Sequence, residues 1–451
     1  MKDGEMNMKT VARQINEELL QFLDASPNAF FAVRNMKDML LEEGYTELRE
    51  GDRWEIRPGS RCFVTRNNSA LIAFRMPQRE GFSGFQIMAS HCDSPVFKIK
   101  PDAEITVEDR YVKLNVEKYG GMICAPWFDR PLSVAGRVIV QTPDGIGTRL
   151  VNIERDLLII PSLAIHMNRT VNDGYAWNVQ KDMLPILGGA GDGKEGFLKL
   201  IADAAGVDPE QIIDSDLYLY DRMKGTFLGQ EEEYIASGRL DDLQCAFASL
   251  KGFLAAEPES SVAVHCVFDN EEVGSSSKQG AAGTFLKDTL RRIALCCGYG
   301  EEEFLRRTAS SFMVSADNAH AVHPNYTDKA DPKNRPVLNG GIVIKYSANQ
   351  KYTTDAVSGA IFRQICSTAD VPVQTFANRS DMIGGSTLGN ISQSQVSLNT
   401  VDIGLPQLAM HSPFETAGAE DTASLVSAAR VLFSSSLECC GDGEYRLAGR
   451  S

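Results

Sequence analysis

Val11, Ile15, Leu19, Phe22 and Leu23 recur at helical spacing near the start of the chain, and Ser26-Pro27 interrupts them. The pattern predicts one helix up to that break and a second over 29–43. The period then changes. Ala70–Phe74 and Phe85–Ala89 are short apolar runs of strand length, and the second leads straight into Ser90-His91-Cys92-Asp93. From about Val96 to Gly229, segments such as Tyr111–Val116 and Arg137–Thr142 alternate as strands do, with Pro and Gly between them. This stretch, 96–229, reads as a β-rich insertion. Beyond it, Leu240, Leu243, Phe247, Leu250 and Leu254 return to helical spacing. Val262–Phe268, Phe312–Ser315, Ile342–Tyr346 and Leu408–Met410 read as strands, and Thr422–Phe433 as a closing helix. Strands alternating with helices predict an α/β fold, a sheet with helices on both faces. Residues 1–95 and 230–451 would build it around the insertion.

Composition narrows the function. The 451 residues suffice for a large domain and a second one, and 43% hydrophobic with 23% charged residues is ordinary for a globular chain. A formal charge of −15 argues against a nucleic-acid partner, whose phosphates call for a basic surface, and equally against an anionic membrane face. No run approaches the roughly 18 apolar residues that span a bilayer. The first sixteen residues are mostly polar and lack the apolar core of a signal peptide. Ten cysteines without a C-x-x-C pair fit free thiols in a reducing compartment, so the expected location is cytoplasmic.

Candidate chemistry sits in five short stretches: His91-Cys92-Asp93, Asp241-Asp242, Glu271-Glu272, Asp317 and His411. Four of them lie just past a predicted strand, and α/β sheets bind ligands outside the carboxyl ends of their strands. Two histidines and several carboxylates suit zinc, and a shared carboxylate lets five residues hold two metals. Asp93, two residues from His91, can accept the ring N–H that a ligating histidine leaves free and so orient it. Glu271-Glu272 offers one ligand and one unligated carboxylate, which can take a proton from a water molecule. Each stretch alone has a plainer reading. Acids at the start of a helix are caps, Asp317 can open a loop, and a lone histidine usually packs. The set together points to a dinuclear hydrolase, but spacing leaves open which aspartate ligates and which glutamate is the base.

The strings Ser90-His91-Cys92-Asp93-Ser94-Pro95, Gly238-Arg239-Leu240-Asp241-Asp242-Leu243 and Asp269-Asn270-Glu271-Glu272-Val273-Gly274-Ser275 resemble the aspartyl aminopeptidases, the family that includes the yeast vacuolar aminopeptidase I type. So do the stretches 315–326 and Gln407-Leu408-Ala409-Met410-His411-Ser412. The similarity spans nearly the whole chain in the family's order. It implies a mixed-sheet dizinc-peptidase domain with an inserted dimerisation domain, and a homo-oligomer, a tetrahedral dodecamer built from dimers. It also implies that His91, Asp241 and Asp317 hold one zinc, and that Asp241, Glu272 and His411 hold the other, with Asp241 bridging. Glu271 would be the general base and Asp93 the residue that orients His91. Lys345 would pair with an acidic substrate side chain, and His166 would reach the active site of a neighbouring subunit to support the oxyanion. The implied reaction releases the first residue, Asp or Glu, from peptides with a free N-terminus. Cobalt and manganese also suit such nitrogen and oxygen donors. The rivals are a neutral, Leu-preferring aminopeptidase on the same scaffold, a related dizinc carboxypeptidase or deacylase, and a non-catalytic assembly protein with a metal.

Of the remaining histidines, His265 reads as core, while His320 and His323 either line the substrate pocket or pack. Gly188–Lys194 satisfies G-x-x-x-x-G-K, but Glu195 replaces the Ser or Thr that a phosphate loop requires, so a surface loop is expected.

Overall fold

The computed structural model describes residues 2–190, 196–382 and 384–449. Its main sheet has nine strands, in the order Thr46–Leu48, Arg61–Arg66, Ala70–Arg75, Val262–Phe268, Phe85–His91, Phe312–Ala316, Asn399–Gly404, Ile342–Tyr346 and Val373–Ala377. The four strands from Val262–Phe268 to Asn399–Gly404 run parallel, and antiparallel neighbours flank them on both sides. Every residue of Phe85–His91, Val262–Phe268 and Phe312–Ala316 is buried. Continuous burial is what a parallel sheet covered on both faces demands, and it explains why these strands read as apolar runs without alternation.

Helices supply the two covers. Lys2–Ala25, Ala29–Glu42, Leu240–Leu254, Ala356–Thr368 and Asp421–Ser434 close one face, where Phe22, Met36, Phe247, Phe253, Ile361 and Phe433 meet Met88, Val314 and Val401. Phe285–Cys296, Glu301–Ala309 and Leu388–Ser392 close the other, with Phe285, Ile293, Phe304 and Leu388 against Phe85, Ile87 and Val264. Leu240–Leu254 and Asp421–Ser434 approach closely at Gly252, where a Cβ would fall 2.5 Å from Ala429 Cβ and 2.8 Å from the Val426 carbonyl oxygen. Among the described residues, no helix is long and apolar enough to cross a membrane.

Two further sheets frame the site. Six antiparallel strands, all within 96–221, are ordered Gly145–Asn152, Leu132–Thr142, Ile212–Asp221, Val96–Val107, Tyr111–Tyr119 and Ile186–Gly189. They enclose a separate core around Phe97, Leu114, Trp127, Val134 and Leu219. A five-stranded sheet joins Thr226–Leu228, Tyr234–Ser237, Glu415–Gly418, Pro406–Leu408 and Ala319–His320.

One expectation needs correction. Leu408–Met410 is not a strand of the main sheet; Pro406–Leu408 belongs to the five-stranded sheet and the chain turns at Ala409. The main-sheet strand is Asn399–Gly404, whose polar residues hide it from a search for apolar runs. Asp402 lies fully buried there, with its carboxylate accepting from Thr353 Oγ1 (2.8 Å) and Thr387 Oγ1 (2.7 Å). The G-x-x-x-x-G-K stretch falls largely on 191–195, outside the described residues. All ten cysteines are free.

Candidate metal centre

The parallel strands bring their carboxyl ends into line. Register pairs Phe268 with His91, so the Asp269–Glu272 turn emerges beside His91, and Asp317 leaves the adjacent strand Phe312–Ala316. The remaining candidates come through the five-stranded sheet. Asp241 follows Tyr234–Ser237, and His411 sits in the connection between the antiparallel strands Pro406–Leu408 and Glu415–Gly418. His91, Asp93, Asp241, Glu271, Glu272, Asp317 and His411 thus come together from three loops of the main sheet and two of the small one.

Both imidazoles present the same nitrogen. His91 Nδ1 donates to the Asp93 carbonyl oxygen at 3.1 Å, and His411 Nδ1 donates to the Gly121 carbonyl oxygen. Nε2 is therefore left facing the cluster in each ring, the orientation of a ligating histidine whose other N–H is held. His91 Nε2 lies 3.4 Å from Asp241 Oδ1 and 3.9 Å from Asp317 Oδ1. His411 Nε2 lies 3.4 Å from Asp241 Oδ2 and 3.5 Å from Glu272 Oε1. One carboxylate thus turns an oxygen to each imidazole.

These separations test whether a cation fits. An N–H···O hydrogen bond runs roughly 2.7–3.2 Å, and these contacts are longer. Two ligands of a tetrahedral zinc, each about 2.0–2.1 Å from it, lie about 3.3–3.4 Å apart. Asp241 Oδ1 and Glu272 Oε1 are buried and lack a hydrogen-bond partner, so the site withholds from them the compensation that buried carboxylates require. A divalent cation restores it. His91, Asp241 and Glu272 offer atoms within 4.8 Å of one another, as do Asp241, Asp242 and Asp317.

Asp242 nevertheless differs from Asp241. Its Oδ2 accepts the His91 backbone N–H and its Oδ1 the Asn318 backbone N–H, both at 3.2 Å. Both oxygens are engaged in holding two loops together, so Asp241 is the member of the pair with oxygens to spare. Asp93 is similarly engaged. Its Oδ1 accepts the Glu271 N–H and its Oδ2 the Glu272 N–H, each at 3.1 Å, and Tyr119 Oη donates to Oδ2 at 2.7 Å. It therefore orients His91 chiefly through its backbone carbonyl, while its carboxylate positions the Glu271-Glu272 turn.

Burial and crowding set the charges. Burial opposes a proton on His91, but the carboxylates of Asp241 and Asp93 outweigh it and hold the ring well above its ordinary pKa. Burial likewise opposes charge on His411, yet Asp241 and Glu272 push it up to about 10. Burial lifts Glu271 to about 8 and Asp317 to about 6, with His91 and Lys345 respectively pulling the other way. A cation bound between these groups would compete with a proton on either imidazole.

Lys345 is 3% exposed on the strand Ile342–Tyr346, so it is not a solvated strand lysine. Its Nζ donates to the Asn318 carbonyl oxygen at 2.9 Å and lies 3.9 Å from Asp317 Oδ1. His166 is exposed on the 161–170 segment, and no hydrogen bond or ion pair joins it to this cluster within one chain. His320 sits 6.1 Å from the Phe376 ring, His323 packs on Tyr326, and His265 is buried with Nδ1 bonded to Ser249 Oγ. A groove of about 660 Å³ lined by Arg75, Glu257 and Arg430 contains none of these residues; Arg75 pairs with Ala263, near the amino end of the strand Val262–Phe268.

Sequence reasoning missed four supports. Glu415 accepts the backbone N–H groups of Asp241 (3.0 Å) and His411 (2.8 Å), and Asn318 bonds Gln244 and Gln407 beneath the cluster. Tyr119 and Gly121 reach in from the six-stranded sheet. Asn318 stands next to Asp317, and Glu415 lies four residues past His411. For Tyr119 and Gly121 the only signal is the Gly120-Gly121 pair ending a strand.

A sequence model of the aminopeptidase I zinc metalloproteases (M18) matches residues 22–433. A probable M18 family aminopeptidase 2 of Clostridium novyi is 48% identical over 410 residues, covering 90% of this chain and 95% of its own. Among solved structures, a chain of the Ape4 and Nbr1 complex superposes with a TM-score of 0.90 at 37% identity, over 94% of this chain and 86% of that one. The mApe1 dodecamer of S. cerevisiae superposes with a TM-score of 0.82 at 26% identity, over 95% and 97%.

Asp242→Asn removes one of two engaged acceptor oxygens and should lower the unfolding free energy by about 1–3 kcal/mol. Denaturant titration with metal analysis should show that loss while zinc content is retained. Loss of zinc at unchanged stability would make Asp242 a ligand.

Proposed function

The chain belongs to the aminopeptidase I zinc metalloprotease family, M18, and from that premise we propose a two-zinc aminopeptidase that prefers peptides beginning with Asp or Glu. His91, Asp241 and Asp317 would hold one zinc, and Asp241, Glu272 and His411 the other. The observation that supports this most directly is the Asp241 carboxylate, whose two oxygens stand 3.4 Å from two different imidazoles. When bound, zinc supplies a Lewis acid that polarises a peptide carbonyl and lowers the pKa of water.

The chain's own residues would do the rest. Glu271 accepts a proton from the attacking water at a carboxylate oxygen and passes it to the leaving nitrogen. Asp93, through the two backbone N–H groups it accepts, holds Glu271 and Glu272 so that one faces the reacting water while the other ligates. The excess of acidic groups favours a substrate carrying a free, positively charged N-terminus. Among the described residues Lys345 donates to the Asn318 carbonyl, and an ammonium has three donors, so its remaining donors suit a substrate carboxylate. A second reading, a Leu-preferring enzyme, draws on the 3.9 Å approach of Lys345 to Asp317, which already offsets part of its charge.

Residues 1–95 and 230–451 would form the catalytic unit and 96–229 the dimerisation unit of a cytoplasmic homo-oligomer, a tetrahedral dodecamer built from dimers. Two features support that assembly. One is the likeness to the mApe1 dodecamer. The other is the exposure of Ile159, Leu163, Ile165 and Met167 around His166, an apolar run that another copy would cover. His166 would then act across the interface as a donor to the oxyanion.

Glu271→Gln should cut kcat by about 10²–10⁴-fold with zinc content unchanged, read by steady-state assay and metal analysis. Loss of zinc would mean that a ligand, and not the base, had been replaced. Lys345→Met should depress cleavage of Asp- and Glu-amides at least tenfold more than that of Leu-amides. An equal loss on all three would remove Lys345 from the specificity pocket.

A further inference from the structure

The six-stranded sheet reaches the metal centre at the end of its strand Tyr111–Tyr119. Tyr119 Oη donates to Asp93 Oδ2 at 2.7 Å and accepts from Asn270 Nδ2 at 2.9 Å. Asp93 in turn accepts the backbone N–H groups of Glu271 and Glu272, and its carbonyl holds His91 Nδ1. Gly120 follows with φ +78°, a conformation that favours glycine, and a Cβ there would fall 3.1 Å from Glu272 Cβ, so the chain passes tightly against the Glu272 side chain. Gly121 comes next. Its carbonyl oxygen accepts His411 Nδ1, while the Ile123 N–H donates to the His411 carbonyl at 3.1 Å. His411 itself sits at φ +68°, a conformation that side-chain-bearing residues keep only where their surroundings hold them.

Three consecutive residues of the insertion therefore engage the segments bearing His91, Glu272 and His411. We propose that Tyr119–Gly121 is a positioning element of the metal centre: it sets the imidazole of His411, the turn of Glu271 and Glu272, and through Asp93 the imidazole of His91. The insertion is then part of the zinc site in addition to any part it takes in assembly. The element acts through other residues and touches no reacting atom. Its grip spans the ligands of both zinc positions, so a change in it should register as metal affinity before it registers in the chemical step. Groups that fix ligating residues from one layer further out typically carry 10–100-fold in metal affinity.

This inference rests on the ligand assignment proposed above, and the test separates the two. Zinc affinity and stoichiometry of the metal-free protein are measured by competition with a chromogenic chelator, with folding checked by circular dichroism. The variants are Tyr119→Phe, Gly120→Ala, Asp241→Asn and Gly252→Ala. Gly252→Ala presses on Ala429 and the Val426 carbonyl where two helices pack, eleven residues from Asp241, and serves as the control for general destabilisation. Tyr119→Phe should weaken zinc binding about tenfold or more, Asp241→Asn should lose stoichiometry, and Gly252→Ala should bind as the wild type. If Asp241→Asn loses zinc while Tyr119→Phe and Gly120→Ala match the control, the positioning role is overturned and the ligand assignment stands. If Asp241→Asn binds zinc as the wild type does, the assignment falls and the inference with it. Should Tyr119→Phe not fold, Gly120→Ala, which keeps every hydrogen bond and presses on Glu272, decides by the same comparison.

Discussion

Asp241 turns its two carboxylate oxygens toward two imidazoles that arrive from distant parts of the chain, His91 from the centre of the main sheet and His411 from the small one. Around that carboxylate stand Asp93, Asp242, Glu271, Glu272, Asp317 and Glu415, with Lys345 beside Asp317 and the buried Arg239 near Glu415 as permanent cations. Such a density of buried acids is unfavourable unless each is hydrogen-bonded, protonated or placed against a cation. Much of the surrounding architecture answers that constraint.

The answer divides the carboxylates into two groups. Asp93, Asp242 and Glu415 receive backbone N–H groups on their oxygens, and each joins segments far apart in sequence. They are the stays of the site. Asp241 and Glu272 keep buried oxygens without a hydrogen-bond partner, at separations from the imidazoles that a shared tetrahedral cation would create. The residues that hold loops and those with oxygens to spare are thus told apart by what their oxygens already accept. Glu271 belongs to neither group. Its backbone is held by Asp93 while burial keeps its carboxyl group near the range useful for moving a proton.

Much of this was legible in the sequence because the strands that aim the site are fully buried. Apolar runs announced Phe85–His91, Val262–Phe268 and Phe312–Ala316, and the polar strings that follow them hold most of the cluster. Asn399–Gly404 escaped notice because polar Asp402 and Thr400 fill interior positions, Asp402 bonded to Thr353 and Thr387 and Thr400 to the Leu398 carbonyl. The choice between Asp241 and Asp242 was also beyond local pattern. Two adjacent acids look alike until the N–H groups of His91 and Asn318 are seen to reach one of them. The family resemblance implies Asp241, and the hydrogen bonding leaves Asp241 with an oxygen that accepts nothing while both oxygens of Asp242 are engaged. Tyr119 and Gly121 had no such announcement, since their contacts to Asp93 and His411 cross 26 and 290 positions of chain.

In the proposed centre one carboxylate, that of Asp241, is shared by two zinc ions. Crystals of the zinc-loaded protein measured on both sides of the zinc absorption edge test it most directly. Two anomalous peaks per chain are expected, one among His91, Asp241 and Asp317 and the other among Asp241, Glu272 and His411. A single peak, or a peak ligated by Asp242 with Asp241 left free, would contradict it.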